Sequence, residues 1–185
     1  MTAPKLVLHP ATPTADLQPA ELVAALQGLG LIGRAFRLDG RQHYCTGPAF
    51  LDHISFLGCA PSIELEPPTA DPEKAARAGR FCHIQLPEAG TQARLRLRPD
   101  QRPRCRACRC DIDLAASTDP AGIVCPGCGR ASPLDRLNWR QAGGYAGLFL
   151  DIWGIHTAEA VPGDRLLDSL GQASGCTWAF FYIED

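Results

Sequence analysis

The sequence predicts an α+β fold, with a mixed or antiparallel sheet, about three helices and an inserted cysteine-rich module. Three observations support this prediction. Apolar residues recur at helical spacing in three separate segments, and short strand-like runs are bounded by Gly, Pro or Asp. Two Cys-x-x-Cys pairs interrupt these elements in the second half of the chain. The length of 185 residues allows one domain of ordinary size with a small insertion.

The first half of the chain is predicted to contain a loose arm, two helices and a hairpin. Residues 1–15 are rich in Pro and Thr, and we expect them to be flexible. Helices are predicted over residues 18–29 and 48–57, where leucines and an isoleucine fall on one side. Residues 34–45 are predicted to form a strand or a hairpin that turns at Asp39-Gly40.

The elements after this hairpin are predicted from shorter patterns. Alternating residues and turn-forming pairs indicate strands, and the leucines after Pro162-Gly163 indicate a helix. The predicted elements are a strand at 62–66, a polar connector at 67–79, a hairpin of 81–86 with 93–98 around Glu88-Ala89-Gly90, strands at 137–139 and 145–155, a helix at 164–173 and a strand at 177–183.

These elements suggest a domain organisation with one insertion. We expect an α+β domain made of residues 16–101 and 133–185, with the cysteine-rich module inserted at residues 102–132. The strand–loop–helix–strand patterns around residues 36–66 and 149–184 are similar to each other. Two interpretations remain open: two similar halves that arose by duplication, or a chance similarity of leucine-rich segments.

The composition limits the classes of function. Apolar residues make up 45% of the chain, and the formal net charge is −2, so the molecule as a whole is not a general polyanion binder. No apolar run approaches the roughly 18 residues that cross a bilayer, and the first residues do not resemble a secretion signal. We therefore expect a cytoplasmic protein that does not bind membranes.

The cysteine spacing predicts a metal site. Cys105 and Cys108 form one pair, and Cys125 and Cys128 form a second pair after a spacer of sixteen residues. Two residues between paired cysteines allow a tight turn that directs both sulfurs to one point, and four thiolates satisfy the tetrahedral preference of Zn²⁺. We predict one structural zinc ion, because four filled positions leave none for water or substrate.

The second pair, Cys125-Pro-Gly-Cys128-Gly129, resembles the knuckle of a zinc ribbon. The first pair departs from that pattern, because Arg106 follows its first cysteine and Cys110 lies close by. The resemblance implies a zinc-stabilised β-hairpin over residues 102–132 and no particular function. Cys110 is interpreted as a spare thiol, with replacement of Cys108 as a ligand left open; redox-active cysteines and an iron–sulfur cluster are further alternatives.

An arginine-rich run precedes and enters this module. It contains seven arginines within sixteen residues: Arg94, Arg96, Arg98, Arg102, Arg104, Arg106 and Arg109. Guanidinium groups bind phosphates and carboxylates through paired hydrogen bonds, so this run suits an RNA or DNA surface or a protein partner. It contains no aromatic residue for base stacking, which favours the protein partner or a solvated strand face.

Two further constellations are weaker candidates for sites. Asp151, His156 and Glu159 follow a predicted strand and suggest an enzyme site, or equally a polar loop. A second metal site could be drawn from a set of residues that lacks paired-ligand spacing: His43, Cys45, His53, Cys59, Cys82 and His83. Buried cysteines are commonly small core residues, so we expect no second site.

These observations lead to one expected function and two alternatives. We expect a zinc-binding intracellular recognition or adaptor protein whose ribbon docks a protein partner. The first alternative is an RNA- or DNA-associated factor that uses the arginine-rich stem. The second alternative is a small enzyme built around the Asp151–Glu159 loop.

Overall fold

The computed structural model describes residues 3–13, 18–58, 63–87, 92–99, 101–114 and 122–184. Within these ranges the chain is an α+β protein with four α-helices and a six-stranded antiparallel sheet, which confirms the predicted class. The helices are α1 Pro19–Gly28, α2 Phe50–His53, α3 Pro72–Arg77 and α4 Asp164–Ser174. The strands are β1 Lys5–Pro10, β2 Ile32–Leu38, β3 Arg41–Thr46, β4 Ile54–Phe56, β5 His83–Gln85, β6 Arg94–Leu97, β7 Ile123–Val124, β8 Ala131–Ser132, β9 Gly143–Ala146, β10 Leu150–Trp153, β11 Ala160–Pro162 and β12 Trp178–Ile183.

The main sheet has the strand order β12-β1-β10-β5-β3-β2, and each pair of neighbouring strands runs antiparallel. Three smaller sheets pair β11 with β4, β6 with β9 and β7 with β8. The predicted hairpin of β2 and β3 turns at Asp39 and Gly40, whose φ angles of 50° and 79° fit the turn that matches strand twist.

Helices α1 and α4 cover one face of the main sheet. Side chains alternate along a strand, so Leu6 and Leu8 of β1 face these helices while Val7 faces the opposite side. The central part of this core consists of fully buried residues from β1, β10, α1 and α4: Leu6, Leu8, Leu150, Ile152, Leu22, Leu26, Leu166 and Leu170. Their burial supplies most of the apolar driving force for this domain.

The opposite face of the sheet is covered by β9 and α3. Val7 packs with Ala146 and Phe181 in one cluster, and Phe81 packs with Ala75 in another. The chain therefore has three layers, and the cysteine-rich module continues from the strands of the outer layer. Residues of the module line one cleft together with Trp178 and Phe180 of the edge strand β12, so the module lies beside this edge of the main sheet.

The prediction of a flexible arm over residues 1–15 is wrong for β1. This strand lies between β12 and β10, and all six of its residues are buried. The short apolar run Leu6-Val7-Leu8 is enough for a central strand, because both of its edges are paired. Residues 1–2 and 14–17 lie outside the described residues.

The predicted hairpin of residues 81–86 with 93–98 is also wrong. Strand β5 pairs with β3 on one side and β10 on the other, so neither of its edges is open to β6. Strand β6 pairs instead with β9, which follows the cysteine-rich module. The turn predicted at residues 88–90 lies outside the described residues.

Several shorter predictions need correction. The helix predicted at 48–57 is the single turn α2, and its continuation is β4, which pairs with β11. Residues 63–66 form no strand, and residues 59–62 are outside the described part. The strand predicted at 137–139 is reduced to a bridge between Asn138 and Arg104.

The two segments compared as halves differ in the described residues. The helix of the first segment, α2, has four residues, whereas α4 has eleven. The strand after α2 pairs with β11 in a small sheet, whereas the strand after α4 joins the edge of the main sheet. The described elements therefore follow different arrangements in the two segments.

Candidate metal centre

The two Cys-x-x-Cys turns have the same backbone structure. In the first turn, the N–H of Cys105 donates to the Cys110 carbonyl and the N–H of Arg109 donates to the Cys105 carbonyl, both at 2.9 Å. The second turn has the same two bonds at 2.9 Å: the N–H of Cys125 donates to the Arg130 carbonyl, and the N–H of Gly129 donates to the Cys125 carbonyl. The fourth residue after each leading cysteine has a positive φ, 63° at Arg109 and 72° at Gly129.

These turns bring four sulfur atoms together. The Sγ atoms of Cys105, Cys108, Cys125 and Cys128 all lie within 4.8 Å of one another. The Cys105–Cys128 sulfurs are 3.8 Å apart and the Cys108–Cys125 sulfurs are 3.4 Å apart. A tetrahedral zinc ion with Zn–S bonds of about 2.3 Å requires sulfurs roughly 3.8 Å apart. The four sulfurs are therefore close enough to hold one metal ion.

Backbone N–H groups of each turn favour the thiolate form of the leading cysteine. The N–H groups of Cys108 and Ala107 lower the pKa of Cys105. Burial raises the pKa of Cys125, but the N–H groups of Cys128 and Gly127 and the neighbouring sulfurs outweigh burial and lower that pKa to about 6. At Cys108 the backbone N–H of Cys110 lowers the pKa, but the neighbouring sulfurs and burial outweigh it and raise that pKa to about 12. The turns therefore favour the metal-binding thiolate form at the two leading cysteines.

A small apolar core packs against the two buried cysteines of the sulfur cluster. Cys105 and Cys125 are buried, whereas Cys108 and Cys128 are exposed. The two buried cysteines pack with the apolar residues Ile112, Ile123, Leu134 and Leu137. This core extends beyond residue 132, the predicted end of the module, because the 3₁₀ turn Leu134–Arg136 completes it.

Cys110 is not a member of the four-sulfur group. Its thiol lies 3.5 Å from the Asp111 carbonyl oxygen. A Cβ atom at Gly127 would lie 2.9 Å from the Cys110 Cβ and 3.1 Å from its sulfur, so the two turns pack against each other without space for a side chain at Gly127. Cys110 therefore contributes to the packing between the turns.

The seven arginines of the predicted basic run do not form one surface. Arg96 is directed inward and donates two hydrogen bonds to Asp151. Arg104 pairs with Asp111 at 2.7 Å, and Arg102 pairs with Asp113 at 3.7 Å.

The remaining arginines of the run have other surroundings. Arg94 lies over the Phe149 ring, and Arg98 lies 3.4 Å from the Thr157 hydroxyl. Arg106 and Arg109 are exposed on the first cysteine turn and have no carboxylate partner among the described residues.

The three residues of the predicted enzyme site have separate partners. Asp151 is buried and binds Arg96, with Lys5 at 3.8 Å. His156 Nδ1 lies 3.3 Å from a Glu184 carboxylate oxygen, and the His156 N–H donates to Glu159. Within the described ranges, the four cysteines are the only group of three or more metal-ligand atoms this close together. His156 and Glu159 are therefore in contact through the His156 backbone, whereas Asp151 binds Arg96 and lies close to Lys5.

The described residues considered for a second metal site do not form a group of three close ligand atoms, although Cys45 and His83 are partners in the pairing of β3 with β5. His43 and His83 are buried, and their Nδ1 atoms are 3.1 Å apart. Burial raises the pKa of the Cys82 thiol, as expected for an inert core cysteine. Cys59 lies outside the described residues.

Sequence reasoning missed Lys5 as a member of the charged cluster around Asp151. Lys5 lies 3.9 Å from the centre of the Trp153 ring and is almost completely buried. Lys5 was missed because residues 1–15 were predicted to be a flexible arm, in which a buried ion pair is not expected. The only available signal was the apolar run that follows it.

Comparison with known proteins gives no relative of this chain: no family model, curated protein or solved structure matches it. No helix in the described part of the chain is both long and apolar enough to cross a membrane.

Proposed function

We propose that this protein is a zinc-stabilised recognition protein whose cysteine-rich module docks an acidic surface of a protein partner. The module consists of residues 101–114 and 122–140. Zinc is the proposed metal because four thiolates form a complete tetrahedral set for it. A filled set makes the ion structural, and reduced thiolates suit the cytosol, where we place the protein.

The docking proposal rests on one observation, which is the excess of arginines over aspartates in the module. Its described residues contain seven arginines and three aspartates. Each aspartate is paired with an arginine: Asp111 with Arg104, Asp113 with Arg102 and Asp135 with Arg136. The other four arginines have no carboxylate partner among the described residues: Arg106, Arg109, Arg130 and Arg140.

The metal reduces this positive excess without removing it. A zinc ion with four thiolates carries a net charge of about −2, and Asp119, between the two described ranges, adds one more negative charge, so about one positive charge remains on residues 101–140. Arg106, Arg109 and Arg130 lie on the hydrogen-bonded cysteine turns, which limits the backbone entropy lost on binding. An acidic protein surface is the matching partner, because the guanidinium group binds carboxylates through paired hydrogen bonds.

The proposed role of zinc is to hold the module in its folded form. The core under the cysteines has only a few apolar residues, such as Ile112, Ile123 and Leu137. A core of that size does not offset the conformational entropy of some thirty residues, so metal binding supplies the difference. Removal of the metal is expected to unfold the module and abolish docking.

An RNA- or DNA-associated factor is the second candidate function. It is favoured by one observation: Arg106 and Arg140 line the same cleft as Trp139, so charge and an aromatic ring lie together. Binding to nucleic acid would fall steeply with added salt, because each neutralised phosphate releases counterions. The enzyme alternative receives no support from the separate partners of Asp151 and His156.

The first test measures metal and partner together. The purified protein is expected to contain about one zinc ion per chain. Affinity capture from the source cell, with and without nuclease, is compared for the wild type and for Arg109→Gln/Arg130→Gln. The matched control is Arg34→Gln/Arg37→Gln, which removes the same charge from two exposed arginines of β2.

If the proposal is correct, the wild type captures a partner protein whether or not nuclease is added. The β2 control variant captures the same protein, and the Arg109→Gln/Arg130→Gln variant does not. Loss of the captured protein after nuclease treatment would favour the nucleic-acid candidate instead. Equal capture by both variants would contradict docking through the module. Absence of stoichiometric zinc would contradict the metal assignment.

A further inference from the structure

A cleft lies between the cysteine-rich module and the edge strand β12. Its volume is about 290 Å³, and His9 of β1 forms part of its floor. Six side chains from distant parts of the sequence define what we call the aromatic cleft: Arg106, Trp139, Arg140, Tyr145, Trp178 and Phe180. The metal centre does not use this cleft. The docking proposal counts Arg106 and Arg140 in the charge of the module but is tested at Arg109 and Arg130, and the nucleic-acid candidate shares the cleft.

The two tryptophans are held with their polar atoms already engaged. The indole N–H of Trp139 donates to the Leu134 carbonyl at 3.2 Å, and that of Trp178 donates to the Ser174 hydroxyl at 2.8 Å. Trp139 is half-buried and offers a ligand part of its ring surface and no free donor, whereas Trp178 is only 7% exposed and forms part of the buried wall of the cleft. Such surfaces favour stacking against a flat aromatic group.

The charge of the aromatic cleft is positive. Arg106 and Arg140 form no ion pair within the described ranges, although, besides the hydrogen bond from Arg104, the charge of Arg140 helps to lower the pKa of Asp111 and its guanidinium donates to the Arg102 carbonyl at 3.2 Å. The one aspartate of the lining, Asp135, is paired with Arg136. The Tyr145 hydroxyl makes no hydrogen bond within the described part of the chain and is available as a donor. A ligand with an anionic group beside its flat ring matches this arrangement.

Arg140 and Gln141 are held in an unusual backbone conformation at the rim of the cleft. Their φ angles are 51° and 57°, in the left-handed region that residues other than Gly rarely adopt. The Asn138 side chain accepts the Arg140 N–H at 3.1 Å, and the Tyr182 N–H donates to the Gln141 carbonyl at 3.3 Å. The surrounding structure therefore fixes the turn that places Arg140 at the cleft.

We propose that the aromatic cleft binds a nucleoside monophosphate, with its base against the half-buried Trp139 ring and its phosphate at Arg106 and Arg140. The volume is at the lower limit for small-molecule sites, so a dinucleotide is too large for it. The inference goes beyond the docking function. Its residues differ from Arg109 and Arg130, so either proposal can fail without the other.

The test uses the full-length, zinc-loaded protein. Calorimetry and tryptophan fluorescence follow titration with AMP, GMP, CMP and UMP separately, then with the matching nucleosides and with inorganic phosphate. We expect saturable binding and fluorescence quenching with at least one monophosphate. Its nucleoside and inorganic phosphate are each expected to bind at least about tenfold more weakly, because each makes only half of the contacts.

Three variants test which residues bind. Arg106→Gln/Arg140→Gln is expected to weaken monophosphate binding about tenfold or more and to leave nucleoside binding unchanged. The control Arg109→Gln/Arg130→Gln removes the same charge from the module outside the cleft and is expected to bind normally. Tyr145→Phe removes only a hydroxyl and tests the cleft without disturbing either turn, with an expected loss of about threefold or more.

Zinc content is measured for each variant, so that loss of folding is not mistaken for loss of a contact. The proposal is overturned if no monophosphate gives a saturable signal. It is also overturned if the two double variants bind equally well while both retain zinc.

Discussion

Arg96 of β6 donates two hydrogen bonds to Asp151 of β10, at 2.6 and 3.0 Å, and so joins the outer strand pair to the main sheet. Lys5 of β1 lies 3.8 Å from the same carboxylate. The Asp151 side chain is only 8% exposed. One buried carboxylate therefore binds Arg96 and lies close to a second cation, Lys5.

Replacement of Asp151 by Asn is expected to lower the free energy of unfolding by about 3 kcal/mol, because it removes the buried carboxylate that binds Arg96 and lies beside Lys5. Urea unfolding provides the measurement. The control is Asp39→Asn, the same chemical change in an ion pair with Arg77 at 2.7 Å, where Asp39 is 68% exposed. That change is expected to cost less than about 1 kcal/mol. Equal losses in the two variants would contradict a special role for Asp151.

Replacement of Cys108 by Ser is expected to reduce the bound metal from about one ion per chain to nearly none, because one thiolate of the tetrahedron is lost. Cys110→Ser is the matched control from the same turn, and it is expected to retain the metal. Elemental analysis gives the stoichiometry, and amide exchange at Cys105 and Gly129 reports folding of the turns. Loss of metal from Cys110→Ser would identify Cys110 as a ligand.

Arg109 and Gly129 occupy equivalent positions in the two turns, with φ angles of 63° and 72°. Arg109→Gly is expected to stabilise the module by about 1 kcal/mol, because a side chain disfavours this conformation. Gly129→Ala is expected to destabilise it by a similar amount. A Cβ at Gly129 meets nothing within 4 Å, so the cost there is conformational.

The stability of the module in each variant is measured by the rate at which the protein transfers its metal to a chelator. We expect Arg109→Gly to slow this transfer and Gly129→Ala to accelerate it. A change in the same direction for both variants would show that backbone strain at this position does not control the module.

The histidine pair of β3 and β5 is expected to make the fold sensitive to acid. Burial lowers the pKa of His43 to about 4. Burial and the neighbouring His43 lower the pKa of His83 to about 3. In the unfolded chain both histidines titrate near pH 6.5. Above that pH their contribution to stability is fully present; below it the unfolded chain binds protons that the folded chain does not, so stability falls toward pH 4.

We expect a loss on the order of 2 kcal/mol per histidine between pH 7 and 4.5. His43→Asn is expected to reduce this loss, whereas the exposed control His156→Asn leaves it unchanged. Metal release at low pH affects all three proteins and cancels in the comparison. Unfolding at several pH values measures the effect, and identical acid profiles for His43→Asn and the wild type would contradict it.

Local patterns predicted several elements well. The hairpin at Asp39-Gly40, helix α4 and strand β12 depend on turn residues and on spacing within one segment, so the sequence contains their signals. Pairing between distant strands was predicted poorly. β5 and β6 look like a hairpin in sequence, but both edges of β5 are occupied by β3 and β10.

In the candidate site, too, local features were predicted from the sequence and contacts between distant segments were not. The spacing of Cys105, Cys108, Cys125 and Cys128 was sufficient to predict that their sulfurs lie together, because each turn is local. The arginines were treated as one run, since sequence proximity does not reveal which carboxylates they meet. Asp151 was grouped with His156 for the same reason, and its real partners are 55 residues away at Arg96 and at Lys5 near the start of the chain.

The sequence alone determined the fold class and the four-cysteine cluster, because short-range backbone geometry fixes both helical spacing and the direction of paired thiols. Tertiary structure decided the central place of β1, the pairing of β6 with β9, the ion pair of Arg96 with Asp151 and the aromatic cleft. These features join segments that are distant along the chain. Their energies come from burial and charge pairing, which depend on which strand edges and charges remain available after the rest of the chain has folded.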